Sequence, residues 1–95
     1  MPRLHQLNQS HYQANTEHEI LLSLQQSDAI LLMEEAVLKV TLDEQLLRQA
    51  KNLNIKIYAL EHDLKCYGLT SNKVEAISAD KWLKLTAEFE KHTAW

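Results

Sequence analysis

The sequence is poor in the residues that make turns and covalent staples. Its 95 residues include one glycine, one proline and one cysteine. A fold of many short strands spends glycine and proline at every hairpin, so this scarcity argues against an all-β sandwich or barrel. A lone cysteine cannot close an internal disulfide and offers no paired-thiol metal spacing, which suits a reducing compartment. With Gly68 as the only glycine there is neither a GxGxxG nor a P-loop, so nucleotide-dependent chemistry built on those cradles is excluded. No stretch approaches the ~20 apolar residues of a membrane span. The opening MPRLHQLNQSHY lacks the apolar run of a signal peptide. A net charge of -3 falls short of the Lys and Arg excess that a broad phosphate-binding surface needs. The expectation is a cytoplasmic chain with no membrane contact, no direct nucleic-acid contact and no cofactor.

What is present is enough to fold. The sequence is 45% hydrophobic and 24% charged, and residues 1–95 read as one small domain with a modest core. Apolar runs of strand length alternate with amphipathic stretches. RLHQL is a strand candidate. NTEHEILLSLQQS reads as a helix, with Thr16 and Glu19 at capping-box spacing and Ile20, Leu21 and Leu24 on one face. DAILLM is a continuous apolar run, the pattern of a strand buried on both faces. TLDEQLLRQAKNL offers a second capping box, Thr41 to Glu44, before a stripe of Leu42, Leu46, Leu47, Ala50 and Leu53. IKIYAL and VEAIS are further strands, and HTAW is a last short one. EHDLKCYG is a short helix that Gly68 ends from the left-handed position. ADKWLKLTAEFEK is a helix with Trp82, Leu85 and Phe89 on one stripe. The alternation predicts an α/β fold, a three-layer α/β/α sandwich on a small, mainly parallel sheet of four to five strands. Leu31, Leu32, Ile57 and Tyr58 are the expected centre of its core. So thin a cover predicts that part of the apolar surface is buried by another chain, with Trp95 and Trp82 as interface candidates.

Ligands of open parallel sheets bind beyond the carboxyl ends of the strands. There the sequence places His11, Glu34, Glu35, Glu61, His62 and Asp63, either as an acid/base set or as solvated charges at helix starts. His62 and Cys66 share one helix face, but two ligands do not make a metal site. His5, His11 and His18 read as unrelated. Cys66 falls late in its helix, where the dipole disfavours a thiolate, so a half-buried structural thiol is expected rather than a nucleophile. On these grounds the residues assigned to catalysis and to metal binding are none.

Several segments resemble a known family. SDAILLMEEAVLKV resembles the GDAILL-(E/Q)DGV-AA strand and loop of the DsrH/TusB family, and IKIYALEHDLKCYGLT resembles its VYAL-EDL-ARGL segment. LHQLNQS is similar to its LHT(L/V)N-SP opening, and the closing AW to its usual end. The resemblance implies a DsrE/F/H-like domain over residues 1–95. It further implies one of three homologous subunits, the others TusC-like and TusD-like, in a heterohexamer with two copies of each. Such a complex relays persulfide sulfur toward 2-thiolation of the wobble uridine of tRNA, and its sulfur-carrying cysteine belongs to the TusD-like subunit. Some members carry a cysteine in the first helix; the comparable position here is about Ile20. At Cys66 relatives often have alanine, so no role carries over to it. Ser27 stands in place of a usual glycine, and Glu35-Ala36 in place of Asp-Gly, which puts both turns in question. The expected function is thus a non-catalytic structural subunit of a sulfur relay. The alternatives are a small sulfurtransferase using Cys66 with His62 as base, and a stand-alone ligand-binding module at the strand ends.

Overall fold

In the computed structural model, which describes residues 2–41, 45–70 and 74–95, strands and helices alternate along the whole chain. The elements are β1 (Arg3–Leu7), α1 (Ala14–Ser23), β2 (Ala29–Leu32), a 3-10 segment (Glu34–Thr41), α2 (Gln45–Asn52), β3 (Lys56–Leu60), α3 (Glu61–Cys66), β4 (Glu75–Ile77), α4 (Ala79–Glu88) and β5 (Lys91–Ala94). Among the described residues the five strands form one sheet in the order β4-β3-β2-β1-β5. Every pairing is parallel. The α/β sandwich expected from the alternation is therefore the fold.

The strand order dictates where the helices lie. From β1 to β4 each strand is laid beside the last in one direction. Right-handed crossovers then put α1, α2 and α3 on a single face. The step from β4 to β5 returns across the whole sheet, which sends α4 to the opposite face. The core divides accordingly. On the first face Ile20 and Leu24 at α1, Leu46 and Ala50 of α2 and Leu64 of α3 pack with Leu7, Ile30, Leu32 and Ala59. On the second, Leu85 of α4 packs with Leu4, Ala29, Leu31, Tyr58 and Ile77. Residues of β2 alternate between the two clusters and all four are buried, as a central strand covered on both faces requires.

Cover on the second face is thin. α4 has ten residues, about 15 Å of helix, against roughly 19 Å across five strands. Met33, Leu60, Trp82 and Phe89 remain only partly buried at its margins, and Leu83 on α4 is 64% exposed. Leu31, Leu32 and Tyr58 are buried as expected. Ile57 is not fully enclosed and lies at the margin of the first cluster instead.

Local signals were met unevenly. α3 ends as the glycine predicts: Gly68 has φ +66°, and the N–H groups of Gly68 and Leu69 return to the carbonyls of Lys65 and Leu64. Ser78 caps α4 by accepting from the Lys81 N–H. The Thr16–Glu19 box does not form. The helix begins earlier, at Ala14, after an N-cap Gln13 that makes no side-chain capping bond, and Glu17 instead accepts from the Tyr12 N–H before the helix, at 2.9 Å. The Thr41–Glu44 box involves a residue outside those described, as does Leu42 of the α2 stripe. Residues 34–41 wind into a 3-10 segment that no sequence signal announced. It exceeds the usual three or four residues of such a helix, and it buries Ala36, Val37, Lys39 and Val40.

Of the two turns in question, one keeps a shape that suits glycine. Ser27 adopts φ +76°, a left-handed conformation that costs a residue with a Cβ about 1–2 kcal/mol. At the other turn the left-handed residue is Glu34, at φ +51°. Ala36 lies buried within the 3-10 segment and has no need of glycine.

The central position of β2 carries a measurable consequence. Leu32 has no exposed surface and lies in the larger cluster. Leu32→Ala should cost on the order of 2–5 kcal/mol in urea unfolding. A loss below ~1 kcal/mol would mean that the site collapses around the smaller side chain.

Candidate functional site

Three loops meet beyond the carboxyl ends of β1, β2 and β3. Both the hydroxyl and the N–H of Ser10, after β1, donate to Oε1 of Glu35, after β2. The N–H of Glu34 donates to Oδ2 of Asp63 in α3, at 2.7 Å. The parallel topology thus brings His11, Glu34, Glu35 and Asp63 to one end of the sheet, as the sequence suggested. The Ser10 hydroxyl, helped by the Ser10 N–H and the nearby His11, holds the Glu35 carboxyl below its ordinary range despite some desolvation. A carboxylate so stabilised is a weak general base near neutral pH. Both carboxylates spend hydrogen-bonding capacity on tying loops together. His11, Glu34, Glu35, Glu61 and His62 are exposed. Among the described residues no group of three or more His, Cys, Asp or Glu side chains is placed to hold a metal ion.

Cys66 is exposed, not half-buried. The reason lies in helix geometry. In α3 only Leu64 is buried, and two residues further on is about 200° around the helix, so Cys66 faces away from the core. His62 shares that solvent face, its Nε2 3.6 Å from Cys66 Sγ.

A second polar cluster, unforeseen in the sequence, lies inside the fold. His5 on β1 is fully buried, and its Nε2 is 2.8 Å from Oδ2 of Asp28, also buried. Asp28 further accepts from the N–H groups of Arg3 at 2.9 Å and Gln25 at 3.1 Å. Burial pushes the Asp28 carboxyl up, but these hydrogen bonds outweigh it and hold the group below its ordinary value. Trp95, half-buried after β5, donates its indole N–H to His5 Nδ1 at 3.2 Å. Its main-chain N–H donates to the Gln6 carbonyl, and its carbonyl accepts from the Tyr12 hydroxyl. Beside Tyr12, the fully buried Lys39 places Nζ 3.5 Å from Glu17 Oε1 and 5.6 Å from the centre of the Tyr12 ring.

Strand alternation carried a signal for the first of these. His5 falls two residues before the buried Leu7, on the same side of a strand that has a neighbour on each side. His11 and His18, by contrast, are exposed and separate from it. The two tryptophans chosen as interface candidates differ in placement. Trp95 is tied to β1 by both ring and backbone. Trp82 packs at the edge of the second cluster, its buried indole N–H without an acceptor among the described residues.

Comparison with known proteins agrees on one family. A family profile described as DsrH like protein matches residues 9–92. A protein of Pectobacterium atrosepticum named Protein TusB is 30% identical over 95 aligned residues, covering 97% of this chain and 99% of the relative. A Protein TusB of Shigella sonnei is 32% identical with the same coverage. One of Escherichia coli O81 is 32% identical over 79 residues, 80% of this chain and 83% of the relative.

The Asp28 arrangement makes stability depend on acid. Because folding lowers this carboxyl's pKa, its contribution is complete above the unfolded value of ~3.9 and is lost as pH falls through the lower folded value. In urea unfolding from neutral to acid pH, Asp28→Asn should lower stability at neutral pH and flatten the acid limb. An acid limb as steep as that of the wild type would place the responsible carboxylate elsewhere.

Proposed function

The chain belongs to the DsrH-like family, and on that premise we propose that it is a non-catalytic structural subunit of a TusBCD-like sulfur-relay complex acting in 2-thiolation of the tRNA wobble uridine. The observation that carries this reading is the match, over nearly the full length of both chains, to relatives named TusB. Its partners in this reading are TusC-like and TusD-like subunits, two copies of each, in the cytoplasm. The transferable sulfur travels as a persulfide on a partner's cysteine, and this chain completes the oligomer and shapes the surface around that thiol. Two features of the fold support a role without a nucleophile. Ile20, near where some family members carry a cysteine, is fully enclosed in the core. Cys66 stands at the last residue of α3, away from the helix N-terminus at which reactive thiols are commonly placed.

The apolar margin around α4, with the exposed Leu83 and the half-buried Trp82, supports association with other chains. Such an interface belongs at the upper end of standard size and is hydrophobic. A second reading has one observation in its favour: the exposed thiol of Cys66 lies within reach of the His62 ring, as a small sulfurtransferase would need.

Two experiments test these readings. Co-expressed with TusC-like and TusD-like chains, the protein should co-purify with both, while alone it should self-associate. A stable monomer that ignores both partners would end the subunit reading. Cys66→Ser should leave sulfur transfer by the assembled complex nearly intact. A persulfide detected on Cys66 after sulfur loading, with transfer lost in the variant, would establish the enzyme reading instead.

A further inference from the structure

Both ring nitrogens of the buried His5 are engaged, and their partners fix where its proton resides. An indole nitrogen carries a hydrogen and can only donate. Facing Trp95 Nε1 at 3.2 Å, His5 Nδ1 must therefore offer a lone pair. The ring's single proton is then on Nε2, directed at Oδ2 of Asp28, 2.8 Å away. The two rings are inclined by 14° with centroids 6.3 Å apart. The rings lie nearly parallel and offset, so the close approach between them is the N–H···N contact. An imidazolium carries hydrogens on both nitrogens. Its Nδ1–H would confront the indole N–H, so the charged ring and the docked Trp95 exclude one another.

We propose that His5 and Trp95 form a proton-sensitive latch: the neutral imidazole holds the Trp95 ring against β1, and protonation releases it. The charged groups around the ring favour this two-state behaviour. Asp28, on the segment before β2, contacts Nε2 and is itself fixed by the N–H groups of Arg3 and Gln25. It keeps its hydrogen bond in both states and pairs with the imidazolium once formed. On β1 the Arg3 guanidinium is directed to Thr93 Oγ1 of β5, at 3.2 Å. On β5, Lys91 and His92 are exposed, and His92 bonds the Phe89 carbonyl. From α1 and the 3-10 segment, Glu17 and Lys39 pair beside Tyr12. The bonds of the Trp95 main chain to Gln6 and Tyr12 involve no histidine, so release frees the indole while β5 stays paired. Docking and protonation are linked reciprocally. The latch is closed while the ring is neutral and opens when it takes up a second proton.

The test uses the full chain carrying Trp82→Phe, which leaves Trp95 as the one tryptophan and deletes an indole N–H that has no acceptor among the described residues. Acrylamide quenching of Trp95 fluorescence should rise about twofold or more between roughly pH 8 and pH 5.5. His5→Gln can reproduce both hydrogen bonds without titrating, and its quenching should stay low and flat. In the wild-type chain, nitrogen NMR at high pH should show His5 Nδ1 unprotonated and Nε2 protonated, a readout that does not depend on the variants folding. A protonated Nδ1 at high pH, quenching of Trp95 that ignores pH, or the same pH response in His5→Gln would each overturn the latch.

Discussion

The handedness of parallel crossovers governs this molecule. Every strand pairs in parallel, so every connection must leave the sheet and return, and it does so with one hand. Three connections advance in the same direction and stack α1, α2 and α3 on one face. The fourth runs back from β4 to β5, and α4 is left to cover the other face alone. The larger cluster, the thinly covered second cluster and the exposed Leu83 all follow from that single reversal. So does the position of Trp95, which the returning strand delivers beside β1, within reach of His5.

Polar groups secure the two ends of the sheet in different ways. Asp28, immediately before β2, gathers the N–H groups of Arg3 and Gln25 and the His5 ring into one buried carboxylate. At the opposite end Glu35 and Asp63 tie the loops after β1 and β2, and the start of α3, to one another across the surface. The buried carboxylate is compensated by several donors, as a charge removed from water must be. At the surface, Glu35 retains solvent and contributes less. An arrangement in which the carboxylates hold backbone together suits the proposed role as a structural part of an assembly. The thin second face gives such an assembly apolar surface to bury. The proposed His5–Trp95 latch lies on the other face, where Trp95 packs at the margin of the larger cluster.

Much of the fold was legible before any coordinates. Residues 28–33 read as a doubly buried strand because an uninterrupted apolar run has no polar side to give to water. Gly68 announced the end of α3 because its φ of +66° is open to glycine at little cost. The loops carrying His11, Glu34, Glu35 and Asp63 could be placed together because parallel strands present all their carboxyl ends on one side. The exposure of Cys66 was misread because a six-residue helix gives too few apolar positions to fix its orientation. The Thr16–Glu19 box was lost because the helix starts at Ala14, which places Thr16 inside it instead of at its N-cap.

Sequence alone determined the alternation of elements, the parallel sheet and the family, since these rest on periodicity and on motifs contiguous in the chain. Tertiary structure alone decided that His5 and Asp28, 23 residues apart, share a proton-bearing hydrogen bond, and that Trp95, 90 residues from His5, completes it. It also decided that Lys39 is enclosed beside Glu17 and Tyr12. Buried polar groups are stable only when their partners arrive from elsewhere in the chain, and no local pattern records which partner the sheet's register will bring.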